Sequence, residues 1–158
     1  MQMKGKGLFF LLVLVLAFYS ASCTQEEMCL SNQHALQLGL YSAYSNTDSD
    51  TSLVSATVYG INPAKDSIYK SEPVNKLFLP LSFISDTTAF VIDEGSLRDT
   101  IWFRHSKEMK YISRDCGFTY NFKLDSIWFT DEIIDSVAIS NAGVNYSESL
   151  ENVKIYIY

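Results

Sequence analysis

The sequence has little glycine and proline, few charges and no excess of basic residues, and each shortage excludes a class of protein. With 7 Gly and 3 Pro among 158 residues, collagen-like and linker-like chains are excluded. The formal charge is −6, which argues against nucleic acid as a partner because phosphate binding needs a basic surface. Hydrophobic residues make up 47% of the chain, so a disordered chain is excluded as well.

Motifs for catalysis are also missing. There is no G-x-S-x-G turn to present a nucleophile, and both histidines, His34 and His105, are expected to be surface residues of strands. The adjacent carboxylates Asp93-Glu94 and Asp131-Glu132 are expected to be solvated turn residues, because neighbours on a strand point to opposite faces and cannot flank one glycosidic bond. The sequence therefore predicts a protein that is not an enzyme, with a small hydrolase as the alternative.

Metal ligands are sparse. Asn46, Asp48 and Asp50 alternate as at the start of a calcium loop, but Thr51 and Thr57 stand where an EF-hand needs Gly and Glu. We expect a hairpin loop there, with a weak extracellular calcium site as the alternative. No CxxC motif exists, and the histidines lack a ligand-like spacing from the cysteines. Neither a metal nor a cofactor is predicted.

The N-terminus has the pattern of a targeting signal. Lys4 and Lys6 precede an apolar run at 8–18, which is too short to span a bilayer comfortably, and small residues then lead directly to Cys23. This arrangement resembles a bacterial lipoprotein signal, although Ser20 stands where that signal usually has Leu. The resemblance implies cleavage before Cys23 and attachment of diacylglycerol, with palmitate-type chains, to its sulfur. Plain secretion and an uncleaved N-terminal anchor are the alternatives.

Three regions follow from this interpretation: a signal peptide at 1–22, a lipidated tether at 23–33 and a single domain at 34–158. Glu26 and Glu27 resemble the surface-export signal of lipoproteins in Bacteroidetes-type bacteria, or they are simply part of a solvated tether. We expect the protein in the cell envelope, as an outer-membrane lipoprotein whose domain faces the periplasm or the cell surface.

The cysteine count favours one disulfide. Lipidation of Cys23 leaves Cys29 and Cys116, and two thiols tend to pair in an oxidising compartment. Such a bridge would close a long loop, which the chain-entropy model credits with roughly 4–5 kcal/mol of stabilisation. Two buried thiols and a pair of metal ligands are the alternatives.

Apolar and polar residues alternate with a period of two along the chain, which is typical of β-strands with one buried face. No segment keeps an apolar period of 3.6 residues, so no helix is predicted in the domain. The predicted inward positions are Leu36, Leu38, Leu40, Val54, Ala56, Val58, Leu77, Leu79, Leu81, Phe118, Tyr120, Phe122, Leu124, Val153, Ile155 and Ile157.

Turn-forming residues separate these runs at 45–50, 62–66 and 93–96. Short strands between turns predict an all-β fold, an antiparallel β-sandwich of the immunoglobulin-like or a related type, with a barrel-like arrangement as the alternative. Pro80 lacks a backbone donor, so the strand that contains it is expected at a sheet edge.

Two tryptophans raise the question of a binding surface. Trp102 and Trp128 each lie between apolar neighbours, in "TIWFR" and "SIWFT", and such aromatics are usually core residues. The alternative is that either indole is an exposed platform on which a sugar ring stacks.

Asp followed by Ser or Thr and then a small or apolar residue occurs five times. The triplet resembles the O-glycosylation acceptor of Bacteroidetes-type periplasmic proteins, and it is equally a natural turn-to-strand junction. The candidate acceptors are Ser67, Thr87, Thr100, Ser126 and Ser136.

Several segments together carry a wider resemblance: Cys23 itself, "EMCLSNQHALQLGLYS" at 27–42, "LFLPLSF" at 77–83, "YISRDCGFTYNF" at 111–122 and the terminal "VKIYIY". They resemble a family of small Bacteroidetes lipoproteins that is known only as a domain of unknown function. The resemblance implies an envelope β-domain and no catalytic activity. We therefore expect a non-enzymatic lipoprotein with a binding or structural role, held to the membrane by its lipid and contacting an envelope protein or glycan. A glycan-binding or adhesin-like module is the alternative.

Overall fold

A computed structural model describes residues 35–61, 67–145 and 150–158. They form strands and connections, and within these ranges no helix is long and apolar enough to cross a membrane. The strands are β1 (Ala35–Ser42), β2 (Leu53–Gly60), β3 (Ser67–Val74), β4 (Lys76–Pro80), β5 (Thr87–Glu94), β6 (Leu97–Ser113), β7 (Gly117–Phe129), β8 (Ile134–Ile139), β9 (Gly143–Val144) and β10 (Val153–Ile157).

Two sheets face each other. One has four strands in the order β4-β1-β10-β8, and the other has six in the order β3-β2-β5-β6-β7-β9. The predicted β-sandwich is confirmed, and the barrel-like alternative is wrong because the described strands form two separate sheets. Every pairing is antiparallel except that of β1 with β10, which is parallel. A parallel pair needs a long crossover, and here residues 43–152, with all the other strands, lie between the two.

The core lies between the sheets, where the inward faces of both contribute aliphatic and aromatic side chains. The predicted inward leucines of β1 and of the β4 region are confirmed as buried, as are Ala56 and Val58 of β2. Full burial of one such large apolar side chain contributes about 1.5–3 kcal/mol. The β10 positions Val153, Ile155 and Ile157 are buried as well.

Val54 is an exception, since 75% of its surface is exposed although alternation places it in the core. The register between β2 and β3 shifts between Leu53 and Ala56, and this irregularity turns Leu53 inward instead. Phe118 is also exposed rather than buried, because it lies on a part of β7 with no opposing sheet strand among the described residues.

The edge of the four-stranded sheet at β4 is protected from pairing with another chain. β4 lies at the edge of the four-stranded sheet and Pro80 is its last residue, as predicted. On its outer side the backbone N–H of Phe78 donates a hydrogen bond of 2.9 Å to the hydroxyl oxygen of Tyr69. This bond satisfies a donor that an edge strand would otherwise present to another chain.

The turn predicted at 45–50 reverses the chain locally: the N–H of Ser42 donates a 2.9 Å hydrogen bond to Ser49 O, that of Thr51 donates one of 3.0 Å to Leu40 O, and Tyr41 and Asp50 form an antiparallel bridge. The strands themselves do not form a hairpin, because β1 and β2 belong to different sheets. The side chain of Asp48 anchors this connection, because it accepts hydrogen bonds from Lys154 and from the Tyr156 hydroxyl on β10.

Candidate ligand-binding face

The candidate site lies on the outer face, which we define as the side of the six-stranded sheet that points away from the four-stranded sheet. On β6 the side chains alternate, so that Ile101 and Phe103 are buried while Trp102 and Arg104 point outward. Residues at matching positions of β2, β5 and β7 complete this face.

Trp102 and Trp128 are direct cross-strand partners at the centre of this face. Their ring centroids lie 6.3 Å apart and their planes are inclined by 9°, which is an offset stack. Trp128 is 43% exposed and Trp102 is half-buried. The prediction that both indoles are core residues is therefore wrong. Three consecutive apolar residues occupy each of these strand segments, but only the first and third of them point inward.

A groove of about 770 Å³ opens beside Trp102. Its lining is mostly apolar and includes Ile61, Ile68, Phe83, Thr87, Ala89 and Trp102. One pleat further along β6, Arg104 is exposed between Thr87 of β5 and Ser126 of β7. The side chain of Arg104 makes neither a hydrogen bond nor an ion pair with any other residue that the structure describes.

The opposite end of the outer face is polar. A second groove of about 560 Å³ is lined by residues that include Thr57, Ser71, Asp93 and Arg98. The Arg98 guanidinium donates hydrogen bonds of 2.5 and 3.3 Å to Asp93, and the Tyr59 hydroxyl donates one of 3.2 Å to the same carboxylate. Burial and the negative charge of Asp93 raise the pKa of Tyr59. The face thus combines an aromatic centre with donors and acceptors along the same strands.

His105 is buried, and its prediction as a surface residue is wrong. Its inward position follows from the alternation that also buries Ile101 and Phe103 on β6. The ring shares a 2.9 Å hydrogen bond between Nε2 and Thr88 Oγ1, contacts Phe122 edge-on, and leaves Nδ1 without a partner. Burial, followed by the charge of Lys107, lowers the pKa of His105. The hydroxyl that contacts the ring belongs to Thr88, which also lines the groove beside Trp102.

Asp131 and Glu132 are exposed, as predicted for the adjacent carboxylates, and Glu94 is half-buried; Glu94 and Glu132 also accept hydrogen bonds from backbone amides. Glu94 accepts hydrogen bonds from the N–H groups of Val54 and Ser55, at 3.0 and 3.2 Å. Glu132 accepts one of 3.2 Å from the N–H of Arg98. These contacts tie turns to neighbouring strands.

Asp48 of the candidate calcium segment is also engaged. The hydrogen bond from Lys154, and then that from Tyr156, lowers the pKa of Asp48. Within the described ranges there is no cluster of three or more His, Cys, Asp or Glu side chains that could hold a metal ion.

Asp99 is a buried carboxylate that was not among the residues predicted to lie in the core or in a site. It is fully buried and accepts hydrogen bonds from the Thr130 hydroxyl at 2.6 Å and from three backbone N–H groups at 2.7–3.0 Å. The three N–H groups belong to residues 132–134, where the chain passes from one sheet to the other. The alternation of β6 was the available signal, because it places Asp99 on the same side as Ile101 and Phe103.

Three of the candidate glycosylation residues, Thr87, Thr100 and Ser126, lie on the outer face around the tryptophan pair. Ser67 is exposed at the start of β3, and Ser136 on β8 is half-buried and donates a hydrogen bond to Asp135. Their modification stays a prediction.

The predicted signal peptide, the lipidated Cys23 and the tether lie outside the described residues. Cys116 is half-buried in the turn between β6 and β7, with its backbone N–H bonded to Ser113 Oγ at 3.1 Å. Because Cys29 also lies outside the described residues, its pairing with Cys116 stays a prediction.

Comparison with known proteins places the chain in a family. No curated protein and no solved structure matches it. Residues 55–157 match the family described as "Family of unknown function (DUF6452)". The match begins within β2, continues through β10 and includes the Cys116 turn, but not β1. Since it covers more than half of the sequence, the chain belongs to the Family of unknown function (DUF6452).

Proposed function

We propose that this chain is a non-enzymatic cell-envelope lipoprotein that is anchored by acyl chains on Cys23 and binds a ligand through the outer face. One observation carries the proposal: a stacked pair of solvent-accessible indoles, Trp102 and Trp128, lies at the centre of a sheet face. Exposed apolar area of this kind is typical of surfaces that contact a partner.

A glycan is the ligand class that this surface favours. One face of a sugar ring consists of C–H groups, which stack on an indole, and the rim carries hydroxyls that both donate and accept hydrogen bonds. The outer face offers the indoles at its centre, and at one end it offers Tyr59, Asp93 and Arg98 as polar groups. These features favour the glycan-binding alternative over an envelope protein as the partner.

Binding is tested by affinity electrophoresis of the full chain in detergent through gels that contain dextran, mannan, xylan or polygalacturonate. We expect at least one polysaccharide to retard the chain, and Trp128→Ala to weaken that retardation at least tenfold. Tyr44→Ala is the matched control, because Tyr44 is 79% exposed and lies on the connection after β1, away from the outer face. Retention of full binding by the Trp128 variant, or binding to none of the polymers, would contradict the proposal.

The lipid anchor has a separate test. Cells that express the full chain are grown with an alkyne-bearing palmitate analogue, and the label is detected on the purified protein. We expect labelling of the natural chain and none of Cys23→Ser, because the acyl chains depend on that sulfur and the lipid is what holds the protein at the membrane. Equal labelling of the two would contradict this part of the proposal, and so would a lack of label on the natural chain.

A further inference from the structure

We propose that the outer face is selective for an acidic saccharide, whose ring stacks on Trp128 while its carboxylate binds Arg104. This inference rests on the proposed glycan binding and adds the charge class of the sugar to it.

Arg104 lies close to the tryptophan pair on the outer face. Arg104 and Trp102 lie on the same side of β6, two residues apart, which corresponds to about 7 Å along the strand. Trp128 is the direct neighbour of Trp102 on β7, and Ser126 is the direct neighbour of Arg104. A guanidinium therefore stands about one sugar ring away from the stacking surface, where the carboxylate at the rim of a uronic acid ring would lie.

The N–H donors of the Arg104 guanidinium are available to a ligand. Thr87 and Ser126, its partners in the neighbouring strands, carry hydroxyls and not carboxylates. Asp86 and Asp125 precede these two residues in the chain, and among the described residues neither forms an ion pair with Arg104. The other arginine of the face, Arg98, is already bound to Asp93.

A guanidinium group is well suited to binding a carboxylate. Its planar donors match the two oxygens of a carboxylate, and such bidentate pairs are stronger and more directional than neutral hydrogen bonds. The chain as a whole is acidic, with 18 acidic and 12 basic side chains, so its overall field does not attract polyanions. Selectivity for an acidic sugar would therefore depend on the local contact with Arg104.

The test uses two polymers with the same sugar backbone, polygalacturonate, which carries carboxylates, and its uncharged methyl ester, with the full chain in detergent at fixed ionic strength. We expect the natural chain to bind the acidic polymer at least tenfold more tightly than the ester. Arg104→Gln should bind both polymers equally, at the level of the ester. Arg114→Gln is the matched control and should keep the tenfold preference, because Arg114 is exposed in the turn between β6 and β7, ten residues beyond Arg104.

Each outcome decides between the two proposals. If the natural chain binds both polymers equally and Trp128→Ala abolishes both, the acidic selectivity is overturned while glycan binding stands. If Arg104→Gln keeps the preference, Arg104 is not the carboxylate contact and the inference is overturned. If neither polymer binds, the inference is overturned for uronic acids, and the neutral polysaccharides above decide the proposed function.

Discussion

At the scale of single residues, Asp99 shows how one buried carboxylate can join two sheets. It lies on β6 in the six-stranded sheet, yet its oxygens bind three consecutive N–H groups at 132–134, just where the chain enters β8 of the other sheet. A buried charge is tolerated only when hydrogen bonds replace its lost hydration, and here four donors do so.

Replacement of Asp99 by Asn should therefore lower the free energy of unfolding by about 3 kcal/mol or more, because an amide offers one acceptor oxygen and leaves buried N–H groups unsatisfied. Urea unfolding followed by tryptophan fluorescence measures this change. Asp131→Asn, an exposed neighbour of the same turn, should change the free energy by less than about 0.5 kcal/mol. Similar losses in both variants would show that the Asp99 hydrogen bonds do not hold the turn.

The lowered pKa of His105 makes the free energy of unfolding depend on pH. Burial lowers its pKa below the ordinary value of 6.5, with a further contribution from Lys107 that Asp86 and Asp125 oppose. Below pH 6.5 the unfolded chain therefore binds a proton that the folded chain does not. The free energy of unfolding should fall as the pH drops from 6.5 toward the folded-state pKa, by at most about 1.4 kcal/mol per pH unit, and it should be fully retained above pH 7.

The variant His105→Gln removes this titration and keeps a side chain that can bond to Thr88. Urea midpoints measured from pH 7.5 to pH 5 should decline less steeply for the variant than for the natural chain. His34, the other histidine, is present in both proteins and cancels in the comparison. Parallel curves would contradict the assignment of this dependence to His105.

The direction in which individual side chains point could be predicted from the sequence for some residues and not for others. Alternation correctly identified the buried leucines of β1 and of the β4 region, because both keep a strict period of two. It could not determine which way Trp102 and Trp128 point, because their neighbours are equally apolar. The candidate face depends on that direction, which is set by the pairing of β6 with β7 and not by the local sequence.

At the scale of elements, the β5–β6 connection is a two-residue turn of Gly95 and Ser96, in the segment predicted as a turn. Gly95 has a φ of +63°, and no non-glycine residue adopts a positive φ in this turn. A positive φ at the first turn position is typical of a type II′ hairpin, which requires glycine there.

Gly95→Ala should therefore destabilise the protein by about 1 kcal/mol, through backbone strain alone, because no atom lies within 4 Å of the added methyl group. Thermal unfolding monitored by circular dichroism measures the loss. Gly60→Ala is the matched control: Gly60 has no positive φ, and its nearest contact would be Ala89 O at 4.0 Å, so the melting temperature should stay constant or rise slightly. The reverse order of the two variants would contradict the turn assignment.

The β6–β7 hairpin was predicted as several short runs, although it is two strands of 17 and 13 residues. The sequence pattern predicts separate runs at 100–104 and 110–113, and between them polar residues and Met109 interrupt the apolar pattern at 106–109. These residues are exposed because the hairpin extends past the strands that cover its inner half. A strand that is solvated on both faces has no period to detect, so its continuity could not be predicted.

At the scale of the whole molecule, the fold class could be predicted and the strand order could not. Period and turn chemistry are local, and they indicated a sandwich. The parallel pairing of β1 with β10 depends on contacts between residues such as Leu38 and Val153, and nothing in the local sequence of either strand specifies that partner.

The predicted disulfide also belongs to this scale. If Cys29 and Cys116 are paired, replacing both by Ser should lower the free energy of unfolding by roughly 4 kcal/mol, since the long loop would no longer be closed in the unfolded chain. Urea unfolding with and without reductant measures the effect, and Cys23→Ser serves as the control that retains the pair. If reductant leaves the unfolding midpoint of the natural chain unchanged, the pairing is wrong.

The place of β10 between β1 and β8 sets the order of assembly. β10 follows β1 by more than 100 residues, so the four-stranded sheet cannot close until β10 has been synthesised. Pairing between strands so far apart in the sequence is also slow, because a large loop must form before the contact is gained. Until β10 arrives, β1 and β8 lack the neighbour that they share, and the inward side chains of both strands stay exposed to water.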